Sequence, residues 1–326
     1  MHAFRSVFEG METFMLVPNT TSKVGVSIHD AIDSKRIMSF VVIALIPALL
    51  FGMYNIGYQN AAAAGKLAET GFWSMFLYGF LLVLPKIVVS YVVGLGIEFA
   101  VAQWKKEEIQ EGYLVSGILI PLIVPVNCPL WMLALAVAFS VIICKEIFGG
   151  TGMNIFNPAL IARAFLFFSY PTSMSGDKVW VAGKEVFGLG YNLPDAATMA
   201  TPLGEVGAGL QPTASLSDMI VGLIPGSIGE TSVIAIAIGA LILLYTQIAS
   251  IRTMTSVFVG GVLVAVLFNM AGMEGNAVAN MPWYEHIVTG GFCFGAVFMA
   301  TDPFIQFAYR KGYSMYMVSL SVHWPS

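Results

Sequence analysis

Charge is what this sequence has least of. Asp, Glu, Lys and Arg make up only 10% of its 326 residues, against about 25% in soluble domains, while 57% are hydrophobic and the mean hydropathy is +0.81. That excludes an ordinary soluble globule and implies an all-α integral membrane protein, a polytopic helix bundle. There is no basic run, and the net charge is only −4, so no nucleic-acid partner is expected. Cysteine is scarce. Cys128, Cys144 and Cys293 lie in apolar segments without C-x-x-C spacing and read as small buried hydrophobes, not as disulfide or iron–sulfur ligands. No short apolar leader with a cleavage site opens the chain, so residues 1–36 read as a cytoplasmic N-terminal arm. No metal site and no catalytic residue is assigned from the sequence.

A helix needs about 20 apolar residues to cross a bilayer. By that measure residues 37–57, 72–101, 130–149, 230–249, 254–272 and 283–300 are apolar segments of spanning type. The stretch 72–101 contains Pro85 and Lys86 and is long enough to tilt, kink or protrude. Residues 113–126, with Pro121 and Pro125, and the short helix 159–170 fall below a full span. The resulting division is a first membrane bundle over 37–170, a polar Gly/Pro-rich loop over 171–229, a second bundle over 230–303 and an atypical tail over 304–326. With the N-terminus inside, Arg5, Lys23, Lys35, Arg36, Lys105, Lys106, Lys145, Arg252, Arg310 and Lys311 collect on the inner side. Only Lys66, Lys178 and Lys184 lie outside, ten against three. The loop 171–229 is therefore expected to face the periplasm. Gly-rich openings at 111–117 and 289–295 suggest an inverted repeat with short or broken helices.

Ionisable groups inside a membrane are costly and usually functional: here Lys86, Glu98, Glu111, Lys145, Glu146, Arg163, Glu285 and Asp302. Glu98 follows Gly94 in Gly94-Leu95-Gly96-Ile97-Glu98, where small residues allow close approach; it reads equally as an interfacial carboxylate near Lys105 and Lys106. Asp302 also reads as a helix-end cap, and Lys145-Glu146 as a boundary pair. Asn154 and Asn157 offer amides to a heteroaromatic ligand, while Asn157-Pro158 also makes a plain helix start. Ser227, Glu230 and Thr231 precede an apolar helix, as an anion site or as a cap. Asp195, Thr198, Ala200 and Thr201 stand in Asp195-Ala196-Ala197-Thr198-Met199-Ala200-Thr201-Pro202, which by local chemistry is a Thr-Pro helix cap.

The spacing D-x-x-T-x-A-T resembles the flavinylation motif in which FMN phosphate esterifies the last threonine, with Met199 where the motif usually has glycine. Further matching pieces are residues 31–36, 111–117, 145–152, 154–163, 225–232 and 299–303, with 175–180 favouring one branch. Together they resemble the B subunit of the sodium-translocating NADH:quinone reductases, whose close paralogue is the D subunit of Rnf complexes. The resemblance implies a ten-helix fold, against eight apolar segments counted here, so the chain reads as C-terminally shortened. It further implies covalent FMN on Thr201, non-covalent riboflavin near Asn154 and Asn157, and a quinone and ion route at Gly94, Glu98, Glu111 and Asp302. Implied partners are the A, C, D, E and F subunits, quinone, Na+ and a flavin transferase, in the bacterial inner membrane. Alternatives are a ferredoxin:NAD+ oxidoreductase subunit of Rnf type or a small-solute channel or transporter on the same scaffold.

Overall fold

A computed structural model describes residues 34–105, 112–150, 154, 156–175, 179–194, 200–272 and 276–302. Three helices are long and apolar enough to cross a membrane: α1 (Ser34–Ala63), α2 (Phe72–Lys105) and α10 (Ile251–Ala271). In hydrocarbon every backbone polar group must be satisfied within the protein, which is why these uninterrupted Leu/Ile/Val/Ala runs are helical. Helix α2 continues through Pro85 without ending. Helices α1 and α2 form the central pair and cross where glycines meet backbone. A Cβ at Gly79 would lie 1.8 Å from the Met53 carbonyl oxygen, and one at Gly57 2.1 Å from that of Met75. Only glycine permits that approach.

Around this pair sit shorter elements: α3 (Tyr113–Leu122), α4 (Leu130–Ser140), α5 (Pro158–Ser169), α6 (Pro171–Met174), α7 (Pro202–Gly207), α8 (Leu216–Val221), α9 (Val233–Tyr245), α11 (Trp283–Val288) and α12 (Phe292–Phe294). Helix α3 packs between α2 and α5, and α9 lies along α1. Two apolar segments differ from their expected form. Residues 130–149 are helical from Leu130 to Glu146 but not uniformly so: α4 passes without a break into a π-helical stretch, Val141–Glu146, with wider i to i+5 hydrogen bonding, and a glycine turn comes next at Gly149 and Gly150, both with positive φ. Residues 283–300 are broken at Thr289, Gly290 and Gly291; after α12 a second π-helical stretch, Gly295–Met299, completes the run.

Residues 225–232 also differ from a simple loop leading into a helix. Ser227, Ile228, Glu230, Thr231 and Ser232 are all buried, and the segment crosses the end of α3. That end is open because Pro121 and Pro125 disrupt the helix there. The Leu122 carbonyl accepts a hydrogen bond from Gly229 N–H at 2.7 Å and the Val124 carbonyl one from Ile228 N–H at 3.4 Å. Each broken segment thus supplies partners that the other lacks. The α3 and α12 breaks share a packing device. A Cβ at Gly94 would strike the Tyr113 ring at 2.0 Å, and one at Gly261 the Phe292 ring at 2.5 Å.

A polar rim fastens residues 179–193 to the helix ends. Asn60, buried at the end of α1, donates to the carbonyls of Ala182 (2.7 Å) and Tyr191 (2.9 Å) and accepts from Tyr191 N–H (2.8 Å). Asn127 donates to Val181 O and the Tyr78 hydroxyl to Lys184 O. The three cysteines are buried.

The tightest contact to residues 225–232 is at Gly52, where a Cβ would fall 1.9 Å from the Ile228 carbonyl oxygen. Because the obstacle is backbone, Gly52→Ala is expected to destabilise the protein by about 1–3 kcal/mol. Gly96→Ala, with nothing within 4 Å of the added methyl, should be neutral or slightly stabilising. Thermal melting of the two variants in detergent checks this ordering.

Candidate functional site at the helix breaks

The breaks gather the buried charges. Glu98, on the buried face of α2, pairs with Lys145 from the π-helical stretch; both are 4% exposed. The second carboxylate oxygen of Glu98 is buried without a hydrogen bond. The two neighbours Lys145 and Glu146 thus part company: Lys145 turns inward to Glu98, while Glu146 meets Lys105 at 3.6 Å. The physical cause is phase: a π-turn adds a residue, which rotates the residues after it by about 100° and swings Lys145 inward.

Lys145 shares a small cavity, about 10 Å³, with Gly112, Val115, Ser116, Asn154, Pro158 and Asp302, room for about one water-sized body. Asp302 is buried and accepts from the Asn157 side-chain amide at 3.3 Å. Asn157 also caps α5, its carbonyl oxygen accepting from Ala159 and Leu160 N–H, with Pro158 at the first helical position. The cap reading is therefore realised, and the amide is engaged on both sides. Gly94 lies one turn before Glu98 under the Tyr113 ring, whose hydroxyl meets the Ser90 hydroxyl at 3.1 Å. The α2 face from Lys86 through Ser90 and Gly94 to Glu98 is buried throughout. Lys86 donates to the Cys128 carbonyl. Glu111 lies outside the described residues.

A second polar group joins the two halves. Arg163 of α5 pairs with Glu230, which is buried and pressed against Gly291, where a Cβ would come within 2.6 Å of the carboxylate. Ser232 caps α9, accepting from Ala235 N–H at 3.2 Å. The Thr231 hydroxyl is buried without a partner, and Ser227 is buried in the same segment. Residues 225–232 thus give one helix cap and an internal ion pair.

The third locus lies apart. Thr201 is half-buried and caps α7, its hydroxyl oxygen accepting from Gly204 N–H at 3.1 Å, with Pro202 at the first helical position. Beside it opens a cavity of about 400 Å³. Ala200, Pro202, Glu205, Asp218 and, from α1, Tyr58 and Gln59 are among the lining residues. Glu205 is held by Thr213 N–H at 2.8 Å, and Asp218 closes a capping box with Ser215. Asp195 and Thr198 lie outside the described residues. The cavity's α1 wall was not legible in the sequence, since Tyr58 and Gln59 sit inside a hydrophobic helix.

Long apolar helices, two of the shorter segments interrupted by π-turns or glycine breaks, and charges buried at those breaks define a multi-pass membrane protein of the broken-helix type. The family described as NQR2, RnfD, RnfE matches residues 21–322, and the chain belongs to it. It is 43% identical to the B subunit of the Na(+)-translocating NADH-quinone reductase of Chromohalobacter salexigens, over 92% of this chain and 76% of that protein. The corresponding protein of Azotobacter vinelandii is 41% identical over 91% of this chain and 78% of that protein. That of Klebsiella pneumoniae (strain 342) is 39% identical over 99% and 84%.

Removing one member of a buried ion pair strands the other. Arg163→Met is therefore expected to cost about 3 kcal/mol, while Arg163→Met with Glu230→Gln should recover most of that loss. Denaturant-dependent proteolysis of the single and double variants measures both.

Proposed function

We propose that this chain is the membrane redox subunit of a sodium-pumping NADH:quinone oxidoreductase, carrying FMN as a phosphoester on Thr201 and passing electrons toward quinone as Na+ is exported. Family membership supports the subunit assignment, and the relatives' names supply the reaction. On this reading the chain works with the A, C, D, E and F subunits in the bacterial inner membrane, N-terminus inside and Thr201 outside.

The observation that carries the flavin assignment is a cavity of about 400 Å³ lined by Ala200 and Pro202, the residues on either side of Thr201, within the size range of small-molecule sites. A flavin supplies one- and two-electron transfer when bound. Thr201 anchors it by a single bond. Tyr58 and Gln59 of α1 form the wall against the helix bundle, and Glu205 and Asp218 are tied into their own hydrogen bonds. The ester needs a separate transferase, since an alcohol takes up the FMN phosphate only by displacing another phosphoryl bond.

The non-covalent riboflavin is proposed on the resemblance alone. A cavity of about 10 Å³ does not hold a three-ring system, and the Asn157 side chain already bonds Asp302 and caps α5, so the arrangement at Asn154 and Asn157 does not fit it. Gly94, Glu98 and Asp302 remain proposed members of the quinone and ion route.

Thr201→Ala, made with the matching transferase present, is expected to abolish covalent flavin fluorescence of the denatured band, while Thr201→Ser retains a measurable part of it. A wild-type band without fluorescence would count against the assignment.

A further inference from the structure

Three buried amides stand near the C-terminal end of α1: Asn55, Gln59 and Asn60. Two of them fasten backbone. Asn60 holds the carbonyls of Ala182 and Tyr191, and Asn55 donates to the Ile224 carbonyl at 2.9 Å, just ahead of residues 225–232. Gln59 fastens none. Its Nε2 donates to the Asn55 side-chain oxygen at 3.3 Å, and its amide oxygen accepts no hydrogen bond among the described residues. That oxygen is not sealed off as the Thr231 hydroxyl is, and Gln59 lines the cavity of about 400 Å³ beside Thr201. The other polar residues lining it, Tyr58, Glu205, Thr213 and Asp218, are half-buried or exposed. Among the lining residues Gln59, 8% exposed, is the buried polar one. An acceptor left open in such a place costs free energy that a ligand donor relieves, and an amide held at its nitrogen is already oriented for that donor.

In an FMN ester the phosphate and the ribityl chain stand between the anchoring oxygen and the ring, so the ring meets a wall away from Thr201, and α1 supplies one. The pyrimidine end of a flavin ring presents an imide N–H between two carbonyls. We propose that Gln59 reads that end: its amide oxygen accepts the imide N–H, while Asn55 holds the amide in place. The inference rests on the reading that Thr201 holds FMN. It adds a residue that sets the potential of that flavin from the side of the helix bundle. The sign follows from charge: reduction makes the ring electron-rich and its imide N–H a poorer donor, so the Gln59 bond favours the oxidised flavin. No covalent or electron-transfer step is added.

The test is a spectroelectrochemical titration of the assembled membrane complex in detergent, made with the transferase present and held at one pH above neutrality. The flavin followed is the component missing from the Thr201→Ala complex. Gln59→Met, close in shape but without the acceptor, is expected to raise the reduced-to-oxidised ratio of that flavin at a fixed potential by about threefold to tenfold. Gln59→Glu sets a negative charge at the ring and should lower the ratio by at least as much. Both variants should keep the fluorescence of the denatured band. Opposite shifts are what a role confined to helix packing would not produce; if only one variant assembles, the sign of its shift decides. Unshifted variants, shifts of the same sign, or loss of the fluorescent band from an assembled Gln59→Met complex overturn the role of Gln59 while leaving the Thr201 anchor standing. A wild-type complex without covalent flavin on this chain overturns the reading beneath it and the proposal together.

Discussion

The fold depends on one constraint, the satisfaction of backbone hydrogen bonds where helices are broken inside an apolar bundle. The Leu122 and Val124 carbonyls at the proline-disrupted end of α3 have no helical partners, and the N–H groups of Ile228 and Gly229 have none in their own segment; each set completes the other. An open carbonyl in hydrocarbon costs several kcal/mol, so this pairing fixes where residues 225–232 run. Their course places Glu230 against Gly291 and in reach of Arg163. The same logic explains why α1 carries glycine at position 52: the Ile228 carbonyl passes too close for any side chain.

Breaks also decide where charge can be kept. An uninterrupted helix would carry Lys145 toward its boundary, but the π-helical turn brings it to Glu98, and the break at 289–291 opens a face for Glu230. The buried Glu98–Lys145 pair and the half-buried Arg163–Glu230 pair therefore stand at the irregular positions of separate segments. The α2 face that leads to Glu98 is lined by Ser90 and Gly94, small enough for the Tyr113 ring to seat directly on the helix. Thr201 lies apart from this interior, on a short helix beside an open cavity, so the proposed cofactor anchor and the buried charge lie in different parts of the chain.

Much of this was legible from residue types. Hydrophobic length located α1, α2 and α10, and the Asn157-Pro158 and Thr201-Pro202 pairs marked helix starts that the structure realises. The prolines of 113–126 marked a segment too short to span. Less legible were features set by tertiary phase. A π-turn has no local signature in the apolar run 141–146, so Lys145 read as a boundary charge. Residues 225–232 are polar and read as a loop, since only their pairing with α3 makes burial tolerable. Tyr58 and Gln59 fall just past the apolar run 37–57 and carried no signal of their own, though α1 continues through them and they help form the cavity beside Thr201.

The proposed function turns on a flavin, and Thr201 is the residue proposed to hold it. The decisive measurement is the mass of the proteolytic peptide containing Thr201, isolated from the native membrane complex and fragmented to locate any added group. The expected result is an increment equal to FMN less one water, localised to the Thr201 side chain. An unmodified peptide from membranes in which the transferase is active would contradict it.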